Sequence, residues 1–200
     1  MYYFKRFPKI FYDIEKNGKP VIIKNIALRF KLLDIIQSKT ALYYDYTVQD
    51  GERPDIVADK YYGSPTKDWL IFLINNIIDP QWDWPMSSQQ LKRYVIKKYG
   101  SLSAATNESD DSAIHHYERI LQPQERLFDG TVVPERTVII DKTTYDDVSL
   151  LASEKRKVTY YTYEVNKNNV KSQIKLLDKR YQSSFLRQME SELQSLPSVN

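Results

Sequence analysis

The residues that could perform acid–base or metal chemistry occur in this sequence as adjacent pairs. The two histidines, His115 and His116, lie in a segment that alternates like a β-strand. Adjacent side chains on a strand point to opposite faces of the sheet, so this pair is not expected to bind one metal ion. The acidic pairs at 110–111 and 146–147 lie in polar stretches. Carboxylates act as an acid–base pair only when the fold holds them across a cleft, so neither pair predicts a catalytic centre.

Sequence motifs of common enzyme sites are missing. The five glycines form neither the GxxxxGK nor the GxGxxG phosphate-binding pattern, and there is no G-x-S-x-G or HExxH motif. The chain has no cysteine, which excludes disulfides, thiolate metal ligands and a cysteine nucleophile. We therefore expect no enzymatic activity, no cofactor and no metal site.

The composition favours a soluble globular protein that contacts other proteins. Its 29 basic and 26 acidic residues leave a net charge of +3, which argues against a dedicated nucleic-acid binder. No apolar run approaches the roughly 18–20 residues of a membrane span, and the N-terminus lacks the apolar core of a secretory signal. The sixteen tyrosines and three tryptophans are unusual, and both residue types are enriched at protein interfaces. Some of the tyrosines could alternatively line β-strands.

Residues 1–41 are predicted to form an N-terminal arm. Short runs of strand-forming residues occur at 2–7, 10–14 and 20–23. The dipeptide Asn17-Gly18 predicts a hairpin turn, and residues 25–39 predict an extended piece followed by a helical turn. Short strands gain stability only by pairing or packing, so residues 1–23 are expected to lie on a neighbouring subunit.

Residues 42–100 show the densest agreement of local patterns. A strand ends at the Asp50-Gly51 turn, and Pro54 suits the first turn of a helix that Gly63 ends. The buried side of this helix is predicted to carry Ile56, Val57 and Tyr61. A second helix is apolar nearly all round and should be buried, and an aromatic loop leads from it to a third helix at 88–99.

Residues 101–112 are small, polar and acidic, and they predict a loop or a domain boundary. In the remaining region, 113–200, strands are predicted at 113–121, 131–140 and 173–177. Residues 158–165 fit either a strand or a short helix, and a C-terminal helix carries Phe185, Met189 and Leu193 on one face. These elements predict an α+β fold, in which a central strand–helix–helix module is flanked by the arm and a mixed C-terminal region.

The central module resembles a LysM domain. Its opening, Tyr46-Thr47-Val48-Gln49-Asp50-Gly51, is similar to the usual Y-T-V-x-x-G-D start. The blocks Ile56-Val57-Ala58, Tyr61-Tyr62-Gly63 and Asn75-Asn76 are similar, at matching spacings, to later blocks of that domain. The resemblance implies that this module has the strand–helix–helix part of a carbohydrate-binding fold.

Two features depart from the LysM pattern. Glu52-Arg53-Pro54 replaces the usual Asp-Thr-Leu, and the second strand is missing, with residues 82–86 and a helix in its place. In LysM domains the sugar groove lies between the loops that correspond here to 51–54 and 76–80. By that resemblance the candidate groove residues are Gly51, Glu52, Arg53, Pro54, Asn76, Ile77, Asp79 and Pro80. Both departures argue against retained binding of cell-wall glycan.

The departures themselves resemble a narrower family. The motif N-N-x-x-D-P-x-x-x-W-P runs from Asn75 to Pro85, after an aromatic N-terminal arm and a degenerate LysM unit. This combination, with the α+β tail, is similar to the baseplate wedge protein 53 family of contractile-tailed, T-even-like phages. The resemblance implies a virion structural protein of the tail baseplate, assembled in the host cytoplasm. Such a protein would join wedges into a sixfold baseplate by binding other wedge proteins.

Two functions follow from these resemblances. The first is a structural clamp between wedge proteins, which would use rigid aromatic side chains as anchors. Its candidate interface residues are Tyr2, Tyr3, Phe4, Phe7, Trp82, Trp84, Pro85 and Tyr94. For the two tryptophans, the alternative is that they cap the module's own core. The second function is a LysM-type module that binds peptidoglycan or chitin.

Overall fold

The computed structural model of this chain describes residues 3–28, 42–147 and 149–198. Backbone contacts divide the chain into two compact units, of which unit 1 comprises Met1–Pro85 and Lys171–Asn200 and unit 2 comprises Met86–Val170. The mixture of helices and strands confirms the predicted α+β class. The predicted domain limits at 41, 100 and 112 stay predictions.

The chain forms short elements in both units. In chain order they are a 3-10 helix at Tyr3–Arg6, β1 (Lys9–Tyr12), β2 (Val21–Lys24), β3 (Tyr43–Thr47), α1 (Pro54–Tyr62), a 3-10 turn at Pro65–Lys67, α2 (Asp68–Ile74), α3 (Pro80–Asp83), α4 (Ser88–Tyr99), α5 (Leu102–Thr106), a 3-10 turn at Asp111–Ala113, β4 (Ile114–Gln122), β5 (Glu125–Arg126), β6 (Val132–Val133), β7 (Arg136–Ile140), α6 (Lys142–Asp146), a 3-10 turn at Ala152–Glu154, β8 (Lys155–Thr159), α7 (Tyr160–Ser172), β9 (Gln173–Leu177) and α8 (Lys179–Ser195).

The arm forms the predicted hairpin, in which β1 pairs antiparallel with β2 and Phe11 lies opposite Ile22. The prediction of a strand at 2–7 is wrong, because this run forms the 3-10 helix. Helical spacing brings the rings of Tyr3 and Phe7 to the same side, where their centroids are 4.9 Å apart. Most of the segment predicted as an extended piece and a helical turn lies outside the described residues.

Unit 1 contains a second strand for β3, although no strand directly follows the second helix. β9 pairs antiparallel with β3, with Tyr46 opposite Ile174. The side-chain amide of Asn75, at the end of α2, donates to the carbonyl of Lys175 at 2.8 Å and accepts from its N–H at 2.7 Å. Both strands were predicted, but the sequence did not indicate that they pair, so unit 1 acquires a β–α–α–β order that the strand–helix–helix prediction lacked.

Helix α1 begins and ends as its sequence predicts, whereas a 3-10 turn precedes α2, which begins without a side-chain cap. Pro54 occupies the first turn of α1, and Gly63 ends it with φ = +68°, a conformation that favours glycine. The predicted set of buried residues, Ile56, Val57 and Tyr61, lies one position too early along α1. Val57, Ala58 and Tyr62 are buried, whereas Ile56 is exposed. The reason is that α1 turns toward β9, where the N–H of Leu177 donates to the hydroxyl of Tyr62 at 2.9 Å.

The core of unit 1 is centred on α2, whose apolar residues are buried as predicted. The buried residues of α2 are Trp69, Leu70, Ile71, Leu73 and Ile74. β9 contributes Ile174, Leu176 and Leu177, and α8 contributes Met189 and Leu193, to the same cluster. Residues from both ends of the chain therefore complete one hydrophobic core.

Unit 2 combines a capped helix with a three-stranded sheet. Ser87 and Gln90 form a reciprocal capping box at the start of α4, and the sheet has the order β7-β4-β8. The single strand predicted at 131–140 is interrupted at Pro134, which separates β6 from β7, and β7 is an edge strand as predicted. Residues 158–165 contain both the end of β8 and the start of α7, so each alternative holds for part of the segment.

The prediction of a loop at 101–112 is wrong in part, because α5 occupies 102–106. The hydroxyl of Ser101 accepts from the N–H of Ala104 at 3.0 Å and caps this short helix. Ala105 is buried beside Leu91 and Val95 of α4. Ala105 and Leu102, which packs against the same cluster, anchor a helix within a mostly polar segment.

The expectation that His115 and His116 point apart is also wrong. The ladder between β4 and β8 shifts register between Ile114 and His116, and the two Nδ1 atoms are 2.7 Å apart. A β-bulge interrupts the alternation of side chains, which explains the convergence. Nε2 of His116 lies 3.1 Å from a carboxylate oxygen of Glu118. The described residues nevertheless contain no group of three or more His, Cys, Asp or Glu side chains that could hold a metal ion.

Candidate interaction surface

A cluster of aromatic rings packs the start of the arm against the rest of unit 1. The ring of Tyr3 lies 4.9 Å from those of Phe4, Phe7 and Trp69, measured between centroids. Phe7 is buried, Tyr3 is half-buried and Phe4 is exposed. Of these predicted interface residues, Phe7 therefore belongs to the core, and Tyr3 and Phe4 form the surface beside it. Tyr2 lies outside the described residues.

An apolar groove of about 680 Å³ runs between the arm and the end of α2. Its lining residues, which define the apolar groove, are Tyr3, Phe4, Pro65, Thr66, Asp68, Trp69, Phe72, Leu73, Ile77, Ile78 and Pro80. The groove unites two sets of residues that the sequence suggested separately: aromatic residues of the arm, and Ile77 and Pro80 of the second LysM-like loop. None of its lining residues comes from the first loop at 51–54.

Trp69 contributes an unsatisfied hydrogen-bond donor to the wall of the apolar groove. Its indole N–H is buried and has no acceptor within the described part of the chain. A buried donor without an acceptor costs about 1–3 kcal/mol. The ring of Trp69 packs against the tilted ring of Tyr3 and belongs to the core cluster of unit 1.

The two tryptophans of the aromatic loop have opposite environments. Trp82, on the short helix α3, is 52% exposed, whereas Trp84 is 7% exposed and belongs to the core of unit 1. The indole N–H of Trp84 donates to the backbone carbonyl of Glu52 at 2.9 Å, and its ring packs edge-on against Phe72. Trp84 therefore caps the module's own core, which was one of the two alternatives, and Trp82 is left at the surface.

Glu52 organises the loop at 51–54 from a buried position. Its carboxylate accepts from the hydroxyl of Tyr46 at 2.9 Å, from the N–H of Gln49 at 3.1 Å and from Nζ of Lys60 at 2.5 Å. Burial opposes ionisation, but these hydrogen bonds outweigh it and lower the pKa of the Glu52 carboxyl. Burial and the bond to Glu52 together raise the pKa of Tyr46 to about 12.

We predict that Glu52→Gln destabilises unit 1 by about 1–3 kcal/mol at neutral pH, because the amide cannot accept all three hydrogen bonds. The lowered pKa means that the carboxylate stabilises the fold fully above its unfolded-state pKa of about 4.3. This contribution is lost as the pH falls through the lower folded-state pKa. The difference in unfolding free energy between the two proteins should therefore shrink with acidification below about pH 5.

Urea titrations at several pH values, followed by tryptophan fluorescence, measure this difference. All three tryptophans lie in unit 1, so the signal reports on that unit. The exposed Glu125→Gln is the control and should change the unfolding free energy by less than about 0.5 kcal/mol. A difference that does not vary with pH would contradict an ionised, hydrogen-bonded Glu52.

Of the other residues in the loops at 51–54 and 76–80, Pro54 and Ile77 are half-buried and the rest are exposed. Gly51 and Asn76 both have positive φ, at +73° and +55°, which glycine and asparagine tolerate. The guanidinium of Arg53 pairs with Asp55 at 2.7 Å. Asp79 caps α3 by accepting from the N–H of Gln81. Most of these polar groups thus serve local structure.

The last two predicted interface residues are half-buried. Pro85 ends unit 1, and Tyr94 lies on α4 of unit 2, where it packs against the cluster of Leu91, Val95 and Ala105. Nζ of Lys98 lies 5.5 Å from the centroid of the Tyr94 ring. Tyr94 belongs to unit 2, whereas the residues that line the apolar groove belong to unit 1.

Sequence reasoning missed several exposed apolar residues of the hairpin. Among them are Phe11, Tyr12, Val21 and Ile22, none of which belongs to the core cluster of unit 1. A signal for this exposure was present, because residues 10–12 and 21–23 are apolar at every position. A two-stranded sheet with no polar face cannot turn all of these side chains toward one core.

Comparisons with known proteins agree with the resemblance drawn from the motifs. The family model described as "Base plate wedge protein 53" matches residues 3–191. Baseplate wedge protein gp53 of Enterobacteria phage T4 is 25% identical over 105 residues, which span 52% of this chain and 50% of that protein. No helix of the described residues is long and apolar enough to cross a membrane. The chain belongs to the base plate wedge protein 53 family and is a structural component of a phage tail baseplate.

Proposed function

We propose that the chain clamps neighbouring wedge proteins together during assembly of a sixfold baseplate. The observation that carries this proposal is the apolar groove. Exposed apolar residues line it from two segments of unit 1, Phe4 on the arm and Ile78 after α2. Contiguous exposed apolar surface of this kind marks binding sites for other proteins. The occupant would be an apolar segment of another wedge protein.

The groove also has the rigidity that a clamp needs. Its floor is α2, whose residues are buried on nearly all sides, and its aromatic wall is packed against Trp69. Rigid aromatic side chains lose little conformational entropy on binding, so more of the contact energy appears as affinity. A clamp requires binding at the apolar groove but no catalytic step there.

Substitution of Ile78 by glutamate tests the proposal. The side chain of Ile78 is 69% exposed, so a glutamate at this position should leave the fold intact. Binding of a partner would remove water from the glutamate charge, which costs free energy. We expect Ile78→Glu to be monomeric, folded and lost from wedge complexes reconstituted from all wedge proteins of the phage. Ile139, which is 68% exposed in unit 2, provides the matched control Ile139→Glu. Equal incorporation of both variants would contradict a role for the apolar groove.

A LysM-like architecture for unit 1 is supported by the order β3-α1-α2-β9. The second strand is then supplied from residues 173–177, and residues 86–170 form an insertion between the second helix and that strand. Trp84 bonds to the carbonyl of Glu52 in the first loop, and Pro80 of the second loop lines the apolar groove. These contacts support a role in packing and protein binding, rather than sugar binding, for the loops at 51–54 and 76–80.

Retention on insoluble peptidoglycan discriminates between the two functions. We expect the purified protein, without other tail proteins, to stay in the supernatant after sedimentation with peptidoglycan or chitin. A folded LysM protein of known binding activity serves as the positive control. Retention that is lost in the Arg53→Ala and Asp79→Ala variants would favour glycan binding by the loops over the clamp.

A further inference from the structure

The hairpin β1–β2 exposes apolar side chains on both of its faces. Pairs that lie opposite each other on a two-stranded sheet share a face, so Phe11 and Ile22 share one face and Tyr12 and Val21 share the other. All four side chains are exposed. Neither strand pairs with a further strand among the described residues. Isolated hairpins are at best marginally stable in water, so this element gains from a partner.

The same element has a strong charge bias. Between residues 5 and 24 the sequence has six basic and two acidic residues, a net charge of +4, whereas the whole chain carries +3. Lys9 and Lys24 lie directly opposite each other, an arrangement in which like charges destabilise a sheet. Nζ of Lys24 donates to the carbonyls of Phe4 and Lys5, at 3.0 and 2.8 Å. Lys9 therefore faces a fixed positive neighbour and favours an acidic group nearby.

We propose that the hairpin β1–β2 docks onto an acidic sheet edge of a neighbouring baseplate protein by adding its strands to that sheet. Strand addition gives hydrogen-bond partners to edge backbone groups of the hairpin, except the N–H of Lys9, which already donates to the hydroxyl of Ser198 at 3.0 Å. The partner also covers Phe11 and Ile22. Acidic side chains beside that edge pair with Lys9 and with the turn residues Lys16 and Lys19. This inference rests on the proposed clamp function and identifies the partner by its charge and by its open strand.

The positive charge and the open strand edge of the hairpin together favour a protein over other partners. A membrane surface or a nucleic acid also attracts basic residues, but neither offers a strand edge to pair with the backbone of a hairpin. A protein edge satisfies the apolar faces, the unpaired backbone and the charge together. The remaining residues carry a net charge of −1, so the bias belongs to the arm and not to the chain as a whole.

The test uses the full-length protein and the other wedge proteins of the same phage, with assembly measured by sedimentation velocity. Phe11→Glu should weaken incorporation at least about tenfold, and Lys9→Glu combined with Lys16→Glu should do the same at low salt. Leu121→Glu is the matched control, because Leu121 is 57% exposed and Phe11 is 59% exposed. Lys97→Glu on α4 is the control for charge.

Each outcome supports or overturns the inference. Normal incorporation of the wild type with equal incorporation of all hairpin variants overturns strand docking but leaves the clamp standing. Failure of the wild type to incorporate overturns the clamp and the hairpin inference together. Binding of the wild type to anionic vesicles or to DNA, abolished by Lys9→Glu with Lys16→Glu while wedge assembly is unchanged, assigns the hairpin to those partners instead. Circular dichroism confirms that each variant is folded.

Discussion

Trp84→Ala is expected to destabilise unit 1 by about 3–5 kcal/mol, because it empties a well-packed site in the core. The indole ring fills the space between Phe72 and the first LysM-like loop, and its N–H satisfies the carbonyl of Glu52 at 2.9 Å. Removal of the ring therefore creates a cavity and leaves a buried acceptor unpaired. A loss of this size is a large share of the roughly 5–15 kcal/mol that stabilises a typical domain.

The neighbouring tryptophan provides the control for this prediction. Trp82→Ala removes the same side chain from a site that is 52% exposed, two residues earlier in the same segment. It should change the unfolding free energy by less than about 1 kcal/mol. Urea titration followed by circular dichroism measures both variants without depending on the tryptophan that was removed. Similar losses for the two variants would show that the partition of the tryptophans between core and surface is wrong.

A shortened chain without residues 86–170 is expected to fold, whereas the isolated segment 42–100 is not. In unit 1, Nζ of Lys171 donates to the carbonyl of Trp82, and the N–H of Val48 donates to the carbonyl of Ser172 at 2.9 Å. The chain therefore leaves and re-enters unit 1 at neighbouring points. A flexible linker of about eight Gly and Ser residues should bridge them.

The fragment 42–100 lacks the residues that close the core. The absent core residues are Ile174, Leu176, Leu177, Met189 and Leu193. Burial of each such side chain contributes about 1.5–3 kcal/mol, so their combined loss is comparable to the whole stability of a small domain. Leu176 also lies opposite Tyr44 in the pairing of β9 with β3, so the fragment would lose its sheet as well.

Thermal and urea unfolding of the two polypeptides test this prediction. The shortened chain should unfold in one cooperative transition, with Trp84 protected from solvent quenchers before it. The fragment should show no cooperative transition and no protection. Cooperative unfolding of the fragment would instead favour the domain at 42–100 that the sequence predicts. A variant of the shortened chain with Leu176→Ala, expected to lose about 2–5 kcal/mol, confirms that β9 is responsible.

Several local features of both units could be predicted from the sequence. The capping of α1 by Pro54 and Gly63, and of α4 by Ser87 and Gln90, follows from side chains within a few residues of the hydrogen bonds they affect. Such features could be predicted because the interacting groups are neighbours along the chain. The buried character of α2 could be predicted for the same reason, since its composition alone leaves no polar face.

Family membership could also be inferred from the sequence. The motif from Asn75 to Pro85 combines residues with separate structural duties: Asn75 holds β9, Asp79 caps α3 and Trp84 fills the core. Each duty restricts the residue type at its position, so the combination is specific. The apolar groove could be predicted only in part, because its residues come from the arm and from the segment after α2.

The sequence by itself determined the ends of α1 and α4, the buried character of α2, the hairpin turn and the family to which the chain belongs. Only the tertiary structure decided that β9 completes the sheet of β3, that Trp84 rather than Trp82 is buried, and that His115 and His116 converge. The reason is physical. Local hydrogen bonds and turns depend on adjacent residues, whereas strand partners and ring environments depend on which distant surfaces fill the same core.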